Sequence, residues 1–516
     1  MLRRSLFTAL LLAGLPLFVR GGAATFNVLD YGVVPDGTTL NTAAIARAIA
    51  ACAAAQGGTV TFPAGRYLSG AILLESNITI DLQAGSEVLY SDNPADSPLV
   101  PSRWESTAAF VHAPLFYANG KENVAITGRG TINGQGSKWW WRNGRYDKAR
   151  AAEMKPAIEA WHRLYDRIEL GQRPQPSEFA LAADYLRPSL VQFYGCRNVL
   201  VEGVTITESP MWLLHPIFCE NVVIRGATFA STGPNGDGID IDSSSNVRIS
   251  DCFFSTGDDC IVIKSGRDAD GRRAARATEH VTITNCVMYQ GHGAIVIGSE
   301  TSGGIRDVVA SNIVASGTQR GIRIKSMRGR GNTVENLRFD NFVIEGATEQ
   351  AIEITTLYQD VPAEPQSERT PTFRNMAFSN ITITGASQVA SIHGLPEKAI
   401  GQLRFSDITA SGVKGFVCDQ TNDIELHNVR VDVSTGSAFD FHGVRGLCLD
   451  GIRSATPPPN APVISLSLCK AVWLRASHAD PGTGTFISDP GRGAGDLELT
   501  DNDLKAARVP VEPTLP

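Results

Sequence analysis

The chain has 516 residues, of which 43% are hydrophobic and 19% charged, and its formal net charge is −7. Apolar content at this ordinary level excludes pervasive disorder, and an acidic balance makes nucleic acid a poor partner. A length of this kind predicts roughly two to four globular domains, unless the chain grows by adding repeated coils to one long core.

The N-terminus reads as an export signal. Arg3 and Arg4 precede an apolar run from Leu6 to Val19, and Gly22-Ala23-Ala24 offers small residues for cleavage after residue 24. The run is too short for a comfortable membrane span, and no later stretch could cross a bilayer. The expected destination is the periplasm or the cell exterior, with no stable membrane insertion. The arginine pair is compatible with twin-arginine export as well as the general route. Loss of Arg3, Arg4 and Arg20 with no acid would move the formal charge from −7 to −10. Attraction for an acidic polymer would then have to come from a local basic patch.

A capping helix is expected next. It starts at Asn41 or Thr42 and puts Ile45, Ile49 and Cys52 on one face. Such a helix would close the open end of a repeat core. Residues 57–65 then read as turn, strand, turn.

Two repeats follow. A strand is opened by Asn123-Val124, Asn198-Val199, Asn221-Val222, Asn246-Val247 and His280-Val281. Five other stretches superimpose without gaps. They are Gly238 to Asp242, Cys260 to Lys264, Ala294 to Gly298, Gly321 to Lys325 and Ala351 to Thr355, each with isoleucine at the same two alternate positions. Alternate side chains of a strand leave on opposite faces. The isoleucines therefore point inward, and the intervening Asp, Arg, Lys and Glu point outward. Repetition of this kind is the mark of a solenoid. Looser copies continue through Gly415 to Cys418 and Ala438 to Phe441.

Trp139 to Arg187 interrupts the repeat with Trp139-Trp140-Trp141 and a helix near Ala149 to Tyr165. It reads as an insertion beside the solenoid. Its tryptophans either pack it down or stack on a sugar ring, and burial favours packing. The body is expected to be one domain over residues 25–509, with a loose tail over 510–516. Nine cysteines are present, an odd number. Cys196, Cys219, Cys252 and Cys286 flank similar strands in successive coils and read as stacked core residues or as one or two disulfides.

Chemistry concentrates just ahead of the isoleucine strands. Asp237, the pair Asp258-Asp259, His292 between glycines, and Arg323 with Lys325 fall on consecutive coils. Neighbouring strands lie about 4.8 Å apart. Three carboxylates so close cannot all ionise cheaply, so one is expected to hold a proton near neutral pH. A held proton can go to a leaving-group oxygen while an ionised neighbour activates water. Arg323 offers a planar fork for a carboxylate and Lys325 a point charge. Asp240 and Asp242 read as solvated surface acids.

Asn235-Gly236-Asp237, Gly257-Asp258-Asp259, Gly291-His292-Gly293 and Arg323-Ile324-Lys325 resemble, in order and spacing, the four signature motifs of the polygalacturonase family, glycoside hydrolase family 28. Residues 26–37 and 57–70 resemble the opening of the wider pectate-lyase-like superfamily. The family usually has threonine where Gly236 stands. The resemblance implies an all-β, right-handed parallel β-helix and inverting hydrolysis of α-1,4-linked galacturonic acid in pectin. It implies Asp258 as general acid, Asp237 and Asp259 as the groups that position and deprotonate water, and His292 as the residue that orients the acid. It implies Arg323, Lys325, Tyr358 and Asn235 as substrate-binding residues, and no metal or other cofactor. The expected partner is a pectic polysaccharide or oligogalacturonide met by a monomer. If the 139–187 insertion walls off one end of the groove, attack is exo. Endo attack, or hydrolysis of rhamnogalacturonan or xylogalacturonan, is the alternative. More distant rivals are a calcium-dependent pectate lyase and a non-catalytic carbohydrate-binding solenoid.

Overall fold

The computed structural model describes residues 24–143, 146–491 and 496–512. The expected signal segment lies outside them except for Ala24. The isoleucine column sets the architecture. Ile239, Ile261, Ile295, Ile322 and Ile352 pair in register, as do Ile241, Ile263, Ile297, Ile324 and Ile354, always between parallel strands. All ten are buried. Two further columns of parallel strands complete each coil. One runs through Thr59, Thr79, Ala125, Leu200 and Val223, the other through Thr131, Thr205, Thr228 and Phe253. The result is a right-handed parallel β-helix whose inward residues form one continuous apolar core. Aromatic rings stack along it, as Phe339, Phe378 and Phe405 do at centroid spacings of 5.1 and 4.7 Å.

The capping helix is α1 (Thr42–Ala54). It buries Ile45, Ile49 and Cys52 against the first coil, as the periodicity predicts. The asparagines of the Asn-Val repeat do something other than start strands. Asn123, Asn198, Asn221 and Asn246 all have φ between 56° and 58°, a left-handed bend that asparagine tolerates better than other side-chain-bearing residues. Their amides form a ladder, with Asn198 donating to Asn123 at 2.9 Å and Asn221 to Asn198 at 2.7 Å.

Only one strand pair is antiparallel among the described residues, a hairpin of Leu99–Trp104 with Thr107–His112. No sequence pattern announced it. It packs against the insertion, where α2 (Ala151–Glu169) buries Ala157, Ala160, Trp161, Leu164 and Ile168 at helical spacing. Together they form a second apolar cluster with Trp104, Phe179, Leu186 and Trp212. Trp139 and Trp140 pack the insertion down. Trp139 stacks on Tyr90 at 5.2 Å, and the Trp140 indole donates to the Ser209 carbonyl at 2.8 Å. A short helix, α3 (Asp268–Ala274), sits against the end of α2, where Glu169 accepts from the Ala269 and Asp270 amides.

The hairpin and insertion lie over the outer side of the isoleucine column, and this corrects the expected surface roles of Asp240 and Asp242. Both are fully buried. Asp242 accepts from Arg103 of the hairpin at 2.8 Å, and Asp240 faces the Lys264 ammonium at 3.5 Å. The chain end also differs from expectation. Val509–Val511 forms a strand paired with Thr485 and Ile487, so Pro510 and Val511 belong to the last coil, and residues 513–516 lie outside the described part. The nine cysteines are unpaired, eight of them buried, which suits the core-stacking alternative. No helix among the described residues is long and apolar enough to cross a membrane.

Arg103 and Asp242 are 2% and 0% exposed, so removing one partner strands the other without water. Arg103→Ala is expected to cost about 3–5 kcal/mol, while Arg103→Met combined with Asp242→Leu is expected to cost clearly less. Denaturation midpoints measure both, and equal losses would show that the ion pair does not hold the hairpin to the solenoid.

Candidate active site

Each acid of the cluster sits on the turn that enters an isoleucine strand. Backbone bonds fix the turns to one another: Gly238 N–H donates to the Asp259 carbonyl at 3.0 Å, and His292 N–H to the Asp258 carbonyl at 2.9 Å. The Gly233–Asp237 turn is held from outside. The Trp140 ring lies where a Cβ on Gly233 would be, 2.1 Å away. Arg187 donates to the carbonyls of Pro210 and Pro234 and to Asn235 Oδ1, at 2.6, 2.9 and 2.8 Å. Asn235 takes a left-handed φ of 55°. The glycine at 236 fits this turn, because a Cβ there would approach the Gly233 carbonyl oxygen to 2.8 Å.

Asp237, Asp258 and Asp259 each offer a carboxylate oxygen within 4.8 Å of the others. Their neighbours differ, and so do their protons. Burial, then the charges of Asp240 and Asp258, push Asp237 well above the usual carboxyl range. Burial also acts on Asp258, but the hydrogen bond and charge of His292, with Lys325 and Lys264, hold it below its ordinary value. His292 Nδ1 lies 2.9 Å from Asp258 Oδ1, and that bond is the main cause raising the imidazole. Asp259 Oδ2 accepts from the buried Lys325 ammonium at 2.9 Å. Oδ1 of both Asp237 and Asp259 is buried with no hydrogen-bond partner among the described residues. The carboxyl pushed toward holding a proton is therefore Asp237, and not Asp258, the one expected to deliver it, because His292 and the lysines outweigh burial at Asp258 alone.

Asp237, Asp258 and Asp259 line a recess of 280 Å³ that also includes Asn235, Lys264, Glu300, Lys325 and Tyr358. Arg323 is not among its lining residues. Its guanidinium donates to Glu353 at 2.6 Å, which Arg320 also holds at 2.8 Å, and it lies 5.3 Å from the Tyr358 ring. The expected free fork is thus engaged two coils beyond the Asp258-Asp259 turn, by a carboxylate on the coil after its own. His292, 42% exposed at its side chain, is not among the lining residues either. Sequence reasoning did not pick out Glu105, Arg187, Trp212, Arg267, Glu300 and Arg330. Glu300 bridges Lys264 at 3.0 Å and Arg330 at 3.4 Å. Burial opposes its charge, but Lys264, Arg330 and Arg267 together hold it below the usual range. Lys264 is correspondingly raised against burial by Glu300, Asp240 and Asp237.

Three close carboxylates could hold a divalent cation in principle. Here Lys325 occupies Asp259 Oδ2 and His292 occupies Asp258 Oδ1, and Lys264 stands against Asp240. The donor set is neutralised by side-chain cations and does not fit a metal well.

The Glycosyl hydrolases family 28 model matches residues 182–435, and a model described as Rhamnogalacturonase A/epimerase, pectate lyase-like, matches residues 25–87. An exo-poly-alpha-D-galacturonosidase of Dickeya chrysanthemi is 30% identical over 469 residues, covering 84% of this chain and 75% of the relative. A probable polygalacturonase of Vitis vinifera is 29% identical over 75% of this chain and 74% of its own length. Among solved structures, a hyperthermoactive exopolygalacturonase from Thermotoga maritima superposes with a TM-score of 0.73 at 35% identity, over 79% of this chain and 91% of that one. The motif-bearing coils lie inside the matched segment, and the Dickeya relative is 30% identical over 84% of this chain and 75% of its own length, so the chain belongs to glycosyl hydrolase family 28.

Proposed function

We propose that this protein is an exported, exo-acting polygalacturonase that hydrolyses α-1,4-galacturonosidic bonds with inversion. The observation that carries the reading is the asymmetry of the recess. His292, bonded to Asp258, is 42% exposed and lies outside the lining, while Glu105 of the hairpin, Asn235 and Arg267 connect the recess to Trp161 and Tyr165 of the insertion. A general acid stands beside the leaving-group oxygen. The departing chain therefore lies on the open side, and the enclosed side takes the sugar that keeps its anomeric carbon, at the non-reducing end. Relatives named as exo-acting enzymes support the same reading.

Asp258 is the general acid. Without substrate, the proton of the Asp258–His292 pair rests on the imidazole, and transfer along their 2.9 Å bond readies the carboxyl to protonate the glycosidic oxygen. Asp259 and Asp237 hold the water through the unpartnered Oδ1 atoms, and Asp259, paired with Lys325, draws its proton. The nearest oxygens of the acids are closer than the roughly 6.5–9.5 Å typical of inverting carboxylates, but nearest-oxygen spacing is a lower bound on the separation across a bound sugar. Lys325 and Lys264 supply positive charge to a galacturonate carboxylate, and Asn235 and Tyr358 contribute hydrogen bonds. Arg323 takes part if substrate draws it from Glu353. A calcium-dependent lyase would use the same acids, but the lysine and histidine contacts compete with the cation.

Asp258→Asn should lower kcat by about 10²- to 10⁴-fold. It should also move the His292 imidazole titration to lower pH, because the bond to Asp258 is what raises it. In His292→Ala the Asp258 carboxyl should rise, since burial would act without its counterweight. An unmoved His292 titration in the Asp258 variant would sink the proton-sharing pair. Polygalacturonate incubated with the protein in a chelator should yield one short product from the earliest times, its new end released as the β anomer. A ladder of oligomers would show endo attack, loss of activity in chelator would favour the lyase, and an α anomer would overturn inversion.

A further inference from the structure

The outward column that contains Lys325 continues down the solenoid beyond the recess. In register with Lys325 stand Thr355, His393, Asp419 and His442, one per coil. Three strand steps, about 14 Å, separate the backbone at Lys325 from that at Asp419, and the last three of these residues lie outside the lining of the recess. His393, Asp419 and His442 thus present two imidazoles and a carboxylate from three consecutive coils. Nitrogen donors of this kind select a zinc-type ion, whereas calcium takes oxygen ligands.

Local geometry sets this group apart from other histidine–carboxylate contacts of the molecule. His292 and His427 lie 2.9 and 3.1 Å from Asp258 and Asp450, at hydrogen-bond distance, and Asp450 also meets Arg475 at 2.9 Å. His393 Nδ1 stands 3.9 Å from Asp419 Oδ2. That is too long to share a proton, yet near the roughly 3.3 Å that separates two ligand atoms on one tetrahedral ion with bonds of about 2.0 Å. Asp419 Oδ1 is buried with no hydrogen-bond partner, and no lysine or arginine pairs with this carboxylate among the described residues. An unpartnered buried oxygen calls for a specific explanation, and a cation held by the same carboxylate supplies one. His442 is exposed, and its ring can turn. An imidazole reaches about as far as one strand step, so His442 can close over Asp419 from one side as His393 does from the other.

We propose that His393, Asp419 and His442 bind one zinc-type divalent ion, with water in the fourth position. The ion clips three coils together, because its ligands come from segments that separate on unfolding. Its distance from Lys325 leaves the acids of the recess untouched, so the site stabilises the solenoid and takes no part in bond cleavage.

Zinc chloride added to the full, metal-free protein tests it. Calorimetry should show one tight site per chain, and the thermal midpoint should rise with zinc concentration. His393→Ala and His442→Ala should each weaken binding by more than the roughly 10- to 100-fold lost with a residue that only supports a ligand, and should abolish the rise in midpoint. Cys448→Ser and His427→Ala should leave both as they are. Binding should fall away below about pH 6.5, where imidazole takes up a proton. Zinc removal should leave kcat on polygalacturonate unchanged. No zinc site in the folded protein, or a site that survives both histidine substitutions, would overturn the proposal. Loss of kcat on zinc removal would overturn the separation of the clip from the catalytic recess.

Discussion

In-register pairing of the isoleucine column is the constraint on which the rest of the molecule depends. Each coil places Ile239 and Ile241, or their counterparts, directly over the previous pair. A slip of one residue would turn every isoleucine outward, so the burial of ten isoleucines fixes the register. Residues on the turns that enter these strands are then spaced by one strand separation, about 4.8 Å. Segments between strands can vary freely under that constraint. The loop that carries α3 and Arg267 leaves between two consecutive coils without disturbing the pairing of Ile261 with Ile295.

Covering the outer face of that column changes its chemistry. On a bare solenoid Asp240 and Asp242 would be solvated. Beneath the hairpin and insertion they lose water, and each stands against a cation, Lys264 or Arg103. Burial of a charge is costly unless it is paired. The same covering supports the spread of proton affinities among Asp237, Asp258 and His292, since charges act more strongly on one another where water is excluded. The second apolar cluster, built from Trp104, Trp161 and Trp212, is thus the structural origin of the site's electrostatics as well as its wall.

The repeat and the acid–base set were legible because both depend on the strand period, which is written in consecutive residues. What escaped depends on contacts between distant segments. The hairpin turn Glu105-Ser106 contains neither Gly nor Asn, so it lacks the usual signal, and its partner Arg267 is 162 residues away. Arg187 has no periodic mark, and its role follows from the carbonyls it meets. Arg323 is different, because a signal existed. In the aligned stretches Arg323 and Glu353 occupy the same column one coil apart, and the structure pairs them. Outward direction was read from the pattern, but the neighbour in the next coil was not. Asp240 and Asp242 failed for the converse reason: alternation says which face a side chain takes, not whether another segment covers it.

The charge balance bears on the mode of attack. An acidic chain repels a polyuronate at long range, although screening confines this to roughly 8–10 Å at ordinary salt. A groove that held many units along its length would need a row of unpaired cations to compensate. The cations near this site are few and mostly committed: Lys325 to Asp259, Lys264 to Glu300, Arg267 to Glu105, and Arg323 to Glu353. Lys325, Lys264 and Arg267 line the enclosed recess and can exchange their protein carboxylates for one on the substrate there, without water between the partners. Such a site gains its affinity from one or two uronate units at a chain end rather than from a long stretch of polymer. The acidic balance of the whole chain and the enclosure of this basic pocket therefore point to the same geometry of substrate entry.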